Sequence, residues 1–356
     1  MSKIQEYYPL TICKNVKALM KDYFFTAEEA YTLTKKSFSA EAKTAALEKC
    51  QKRLAAERNM QLNFRTYEDI SEESLNYLDF MSSIHKWSEN KQVFKFDTDF
   101  LQELVKTEGL HVTVDMLNFL PCKTMYLDFS DCDYMKNIYG TSGIFVDIDT
   151  VSEENSWEVH TFSMIDGMKF RGRTITLDNL EHDLTMKHDL IQLTLAFVTL
   201  EHGKEVVEER KQYAQFSIII LQMLCYLASV EPDVRESEAT KHTYRPRQAK
   251  APVKNKFSEI QQHEVGVRFG TAFRKYTVHR NSSEQGEHKG SGSSKRPHYR
   301  NAHWSWYWYN KLDEKGETIY NVYGVPEKVK RQKWIEGTYV NQKFGESDVV
   351  IHKVKN

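Results

Sequence analysis

Residues 296–309 read Arg-Pro-His-Tyr-Arg-Asn-Ala-His-Trp-Ser-Trp-Tyr-Trp-Tyr and place side chains of three chemistries at short spacing. His298 and His303 flank Arg300. Imidazoles exchange protons near neutral pH, and a guanidinium stabilises negative charge developing on a phosphate. His298, Arg300 and His303 are therefore the candidate catalytic set for a metal-independent, toxin-type RNase. The same residue types also serve binding without reaction. Arg and Lys hold phosphates while Tyr and Trp stack on bases. The plainest alternative is a packed hairpin whose histidines donate structural hydrogen bonds. A histidine-only metal site from His279, His288, His298 and His303 is disfavoured, because two of these lie in or beside a Gly/Ser-rich loop over residues 281–294.

In an extended strand alternate side chains share a face. Trp304, Trp306 and Trp308 then point one way, and His303, Ser305, Tyr307 and Tyr309 the other. Burying an aromatic ring is worth about 2–3 kcal/mol, which assigns the tryptophans to a core and the polar face to solvent. Arg296, His298 and Arg300 join that outer face through a bend near Asn301, and Lys330, Arg331 and Lys333 complete a basic rim. The candidate nucleic-acid-binding residues are thus Arg296, His298, Arg300, His303, Tyr307, Tyr309, Lys330, Arg331 and Lys333. Binding of this kind weakens steeply with salt. A surface of this composition also suits an anionic protein, so a protein-interaction module without nucleic acid stays open.

A second group is acidic: Asp128, Asp131, Asp133, Asp147 and Asp149. Carboxylates at strand ends can hold a divalent ion, but the reading preferred here is that they cap turns and solvate an acidic body. The chain has no phosphate-cradling glycine loop, no GxSxG and no HExxH. It does not announce an enzyme, and no cofactor is expected.

Three regions position these residues. The first hundred residues read as helices: Thr26-Ala-Glu-Glu29 is a capping box, Glu41–Gln61 carries the stripe Ala42, Ala46, Leu47, Cys50 and Leu54, and Ser71 opens a helix with Leu75, Leu78, Met81 and Trp87 inward. A short helix follows over Asp99–Glu108. Thr124–Phe129, Gly143–Ile148, Glu158–Ile165 and Arg171–Leu177 then read as strands, with Met164–Gly167 as a hairpin turn. Residues 183–200 return to helix, and Gly203–Val230 forms a long helix stopped by Pro232. Val265–Tyr276 is compatible with strand or helix. Asp313–Gly316 turns the chain and Thr318–Tyr323 returns it. The class is α+β: a helical N-terminal region, an antiparallel sheet with helices, and a small β-rich basic C-terminal domain. The expected boundaries are 1–235 for an acidic body, 236–258 for a linker and 259–356 for the basic aromatic domain.

Composition supports this division. The net charge of −1 hides 26 Lys+Arg against 39 Asp+Glu in residues 1–240, and 21 against 9 in residues 241–343. Either the basic part meets an anionic partner or the two parts neutralise each other. The five scattered cysteines form no CxxC and point to a reducing cytoplasm. The N-terminus lacks a signal pattern, and the apolar run Phe216–Val230 is too short to span a membrane.

Three segments together resemble a known family: Ile220-Leu-Gln-Met-Leu-Cys-Tyr-Leu-Ala-Ser-Val-Glu-Pro-Asp-Val234, Val265-Gly-Val-Arg-Phe-Gly270, and the Arg296–Trp308 motif followed by Lys333-Trp-Ile335. They are similar to the type V-A anti-CRISPR family of phages, plasmids and other mobile elements. The matching motif positions are Pro297, His298, Arg300, His303, Trp304, Tyr307, Trp308 and Trp334. The resemblance implies a protein that lowers production of an RNA-guided nuclease, engaging its emerging N-terminal segment and its messenger or the ribosome, with no membrane partner. Asn301 stands where the family pattern has a second Arg, and Ser305 or Trp306 where it has His. These departures count against a complete nuclease centre and leave a binding role intact.

Overall fold

The computed structural model describes residues 8–22, 25–35, 37–58, 66–107, 110, 112, 114–151, 156–165, 169–177, 204–237, 260–274, 298–313 and 316–340. The expected turn at Asp166–Gly167, the helix over 183–200, most of the linker, the Gly/Ser-rich loop and Arg296 lie outside them.

The N-terminal region is helical, with α1 (Tyr8–Asp22), α2 (Ala27–Thr34), α3 (Ala40–Arg58) and α4 (Glu72–Asn90). Local chemistry sets the starts. Thr26 and Glu29 close the capping box, with the Glu29 N–H donating to Thr26 Oγ1 at 3.2 Å and the Thr26 N–H to Glu29 Oε2 at 2.9 Å. The Ser71 hydroxyl accepts from the Ser74 N–H. Leu47, Cys50 and Leu54 of α3 pack with Leu78 of α4 and Leu33 of α2, as their spacing requires.

A seven-stranded sheet follows, in the spatial order β5-β4-β3-β2-β1-β7-β6. Its members are β1 (Gln92–Phe96), β2 (Thr124–Asp128), β3 (Gly143–Val151), β4 (Ser156–Ile165), β5 (Lys169–Leu177), β6 (Val234–Glu236) and β7 (Gln261–Val265). β2 to β5 form the expected antiparallel run, whereas β1 lies parallel to both β2 and β7, so the sheet is mixed. Between the strands lie α5 (Thr98–Lys106), α6 (Val114–Leu117), α7 (Asp133–Tyr139) and α8 (Lys204–Ala228).

Alternation along the strands divides the core in two. Val93, Tyr126, Phe145 and Phe162 meet α1 and α4 through Leu10, Val16, Met81, Ile84 and Trp87. Phe94, Met125, Leu127, Val146, Ile148 and Val159 face the other way, onto α5 and the apolar half of α8. Gln222, inside that apolar half, donates through Nε2 to the Thr107 carbonyl at 2.9 Å, while its Oε1 is buried with no hydrogen-bond partner among the described residues.

The stretch Val265–Tyr276, open to either strand or helix, proves helical over most of its described residues. β7 ends at Val265, and residues 267–274 are helical. Gly266 makes the junction with φ +74°, and a Cβ there would collide with the Phe100 ring. The chain then forms β8 (His298–Arg300), β9 (His303–Asn310), β10 (Lys328–Ile335) and β11 (Thr338–Val340). β9 pairs antiparallel with β10, and β8 with β11. The two pairs form one ribbon broken at Asn301–Ala302 and Glu336–Gly337. The basic run 328–333 is therefore the return strand. Thr318–Tyr323 instead belongs to a capping loop held by the bridges Leu312 to Thr318 and Tyr320 to Pro326.

Candidate functional site

The ribbon is the first candidate. Strand pairing places Trp304 opposite Trp334, Trp306 opposite Gln332 and Trp308 opposite Lys330, so these six share one face. The expected alternation holds, but the expected burial of all three tryptophans does not. Trp304 and Trp334 are 7% and 5% exposed and belong to the core beside α5 and α8, whereas Trp308 is 67% exposed. The strand leaves the core partway along its length, so one face passes from interior to solvent. Trp334 is fixed edge-on against Phe100, Tyr226 and Phe269, at centroid distances of 5.1, 5.7 and 5.2 Å, and its Nε1 donates to Thr107 Oγ1 at 3.3 Å.

Beyond the core the face becomes cationic and aromatic. Lys330 Nζ lies 5.0 Å from the centre of the Trp306 ring, a cation–π contact, and Trp308 stands next to it. On the opposite face His303 and Tyr307 are exposed and Tyr309 is half-buried. Arg300 is exposed across the break. Among the described residues Arg300, His303 and Lys330 form no ion pair. His298 occupies β8, opposite Val340 of β11.

Two members of the expected rim are engaged elsewhere. Arg331 donates to the Ala228 carbonyl at 3.1 Å, and its guanidinium lies 3.8 Å from the centre of the Phe119 ring. Burial there pushes its pKa down from the ordinary value. Lys333 pairs with Glu231 at 2.7 Å. Both clamp the ribbon onto the end of α8. Other cations of the basic third are likewise paired with the body. Arg274 bridges Asp97 at 3.0 Å and Asp99 at 2.6 Å. Part of the charge split is therefore neutralised within the molecule, and the outer part of the ribbon keeps its charge.

The second candidate was not foreseen. Lys35, fully buried, lies 2.7 Å from both Asp79 of α4 and Asp147 of β3, and its Nζ reaches Ser83 Oγ at 3.2 Å. Ser83 donates to Asp147 Oδ2 at 2.7 Å. His160 of β4 sits directly opposite Asp147, with Nδ1 3.0 Å from Asp79. Burial alone would lower the Lys35 pKa, but Asp147 and Asp79 outweigh it and push it up. Burial alone would raise Asp79, but His160 and Lys35 outweigh it and hold it at about 2. One strand step further, Asp149 and Glu158 are also opposite each other, and the Ser37 N–H donates to Asp149 Oδ2 at 3.0 Å.

Asp147 and Asp149 are thus mid-strand and buried, not turn caps in solvent as expected. Asp128 does cap a turn, accepting from the Ser130 N–H at 2.9 Å, while Asp131 and Asp133 pair with Lys95 and Lys136. Among the described residues, Asp149, Glu158 and His160 could together hold a metal ion. Cys122 and Cys50 are poor nucleophiles. Burial pushes Cys122 up to about 12, and burial with the nearby Glu29 carboxylate pushes Cys50 up to about 11. No helix among the described residues is long and apolar enough to cross a membrane.

Comparison with known proteins places this architecture. The family described as anti-CRISPR type V subtype A2, AcrVA2-like, matches residues 94–342, the span that holds the sheet, α8 and the ribbon. A crystal structure of AcrVA2 is similar over 94% of this chain and 100% of its own, with 16% sequence identity and a TM-score of 0.49. No curated protein matches.

Proposed function

The chain belongs to the anti-CRISPR type V subtype A2 family, and from that premise we propose that it lowers production of a type V RNA-guided nuclease in the cytoplasm, engaging the nascent nuclease chain together with its messenger or the ribosome. In this reading the outer part of the ribbon is the RNA contact, and the body supplies the polypeptide contact. The observation that carries the RNA contact is the surface of Trp308 and Lys330, with His303 and Tyr307 exposed on the other face of the ribbon and Arg300 exposed across the break. An indole 67% exposed beside an ammonium with no ion pair among the described residues is the pairing that stacks on a base and holds its phosphate. Arg331 and Lys333 act here as supports for the ribbon, not as RNA contacts.

The test is crosslinking of the protein to RNA in cells that express the nuclease, followed by sequencing of the bound RNA. The nuclease messenger should be enriched, and Trp308→Ala with Lys330→Glu should remove that enrichment without changing the circular dichroism spectrum. Absence of any enriched messenger or ribosomal component refutes the reading. Incubating the purified protein with RNA separates binding from the RNase alternative, since only a nuclease cleaves the RNA and only a nuclease loses that cleavage with His303→Ala.

A further inference from the structure

We infer that Asp149, Glu158 and His160 form a binding site for one divalent transition-metal ion, independent of the RNA-binding reading. Asp149 and Glu158 are direct cross-strand neighbours, and each is at most 5% exposed. Like charges opposed across a sheet destabilise it, and burial removes the water that would screen them. A cation bound between them offsets both costs, alongside the contacts that these side chains already make. Lys35 stays with its own partners, its ammonium held between Asp79 and Asp147 at 2.7 Å from each.

The geometry suits a metal. His160 lies two residues along β4 from Glu158, on the same face, and ligand atoms of all three residues fall within 4.8 Å of one another. An ion with bonds of about 2.0–2.2 Å spans that distance. His160 Nε2 is 3.6 Å from Glu158 Oε2, too long for a hydrogen bond but suited to two ligands of one ion. The other ring nitrogen, Nδ1, is 3.0 Å from the Asp79 carboxylate. A carboxylate behind a histidine in this way fixes the ring orientation, as it does in metal sites generally. A separate observation supports a ligand. Asp147, directly opposite His160, has Oδ1 buried with no hydrogen-bond partner among the described residues, a polar atom available to a further ligand or to water on the ion.

One nitrogen and two oxygen donors favour Zn²⁺ or Mn²⁺ over Mg²⁺ and Ca²⁺, which take oxygen sets. The site joins β3 and β4 beneath the helical layer, so the ion's role is to hold this strand pair to the α2–α3 connection through Ser37.

The test uses the full chain, stripped with chelator and dialysed separately against ZnCl2, MnCl2 and MgCl2. Metal per chain is read by mass spectrometry and the melting temperature by calorimetry. Zinc or manganese should bind at one equivalent and raise the melting temperature, and magnesium should do neither. Glu158→Gln and Asp149→Asn should each weaken binding at least tenfold. Absence of stoichiometric uptake by the wild-type chain overturns the inference, whatever the variants do. Undiminished uptake by a natively folded Glu158→Gln variant also overturns it, by placing the ion among other side chains.

Discussion

Replacing Lys35 by Met tests whether the buried charge network holds the helical layer to the sheet. The substitution keeps the length and apolar stem of the side chain but removes the ammonium. Asp147 then loses its only ion-pair partner among the described residues, and Asp79 keeps only His160. Removing one partner of a buried pair costs about 3–5 kcal/mol, because the remaining charge stays desolvated. Unfolding entropy near 60 °C is about 2.1 cal/mol/K per residue. For 356 residues unfolding as one unit this is about 0.75 kcal/mol/K, so the expected loss of melting temperature is about 4–7 °C. Calorimetry with urea titration measures both quantities. Adding Asp147→Asn to Lys35→Met should recover at least about 1 kcal/mol, since it removes the stranded charge. A loss below about 1 kcal/mol for Lys35→Met, or no recovery in the double variant, would refute the reasoning.

The ribbon should show a gradient along its tryptophans: Trp304→Ala costs about 3–5 kcal/mol in urea unfolding, whereas Trp308→Ala changes stability by no more than about 0.5 kcal/mol. Gly266→Ala should destabilise by about 1–3 kcal/mol, because it needs φ +74° and its Cβ meets Phe100; equilibrium unfolding checks this. Acid should weaken the α2–α3 contact through Glu29. Burial alone would raise its pKa, but the hydrogen bonds from Arg53 and the Thr26 N–H outweigh it and hold the carboxyl below its ordinary 4.5. Its contribution is therefore complete above that value and is lost as pH falls through the lowered one. The melting-temperature difference between wild type and Glu29→Gln should shrink below about pH 4.5.

Local chemistry was legible in the sequence and distant pairing was not. The capping box at Thr26, the stripe of α3, the start of α4 and the four strands from Thr124 onward are dictated by neighbours within a few residues, and all are observed. The alternation of β9 was equally plain. Its burial was not, because burial depends on where the strand leaves α8 and not on its own side chains. β1 escaped notice because its partners, β2 and β7, lie about 30 and 170 residues away and no short motif announces a parallel pair. The Lys35 network failed to show for the same reason. Lys35 and Asp147 are more than a hundred positions apart, and only the register of β3 on β4 brings His160 opposite Asp147. Composition picked out the basic residues among 330–333, but it could not show that Arg331 and Lys333 would be drawn onto the end of α8.

The place of β7 in the sheet has a consequence for biogenesis. Until residue 265 has left the ribosome, β1 presents a bare edge, Gln92–Phe96, with three buried-type side chains and no neighbour on that side. Unpaired edges of this kind invite association with other chains. A polypeptide halted at residue 235 would hold most of its finished interior yet remain prone to aggregate, and only further synthesis would seal the gap.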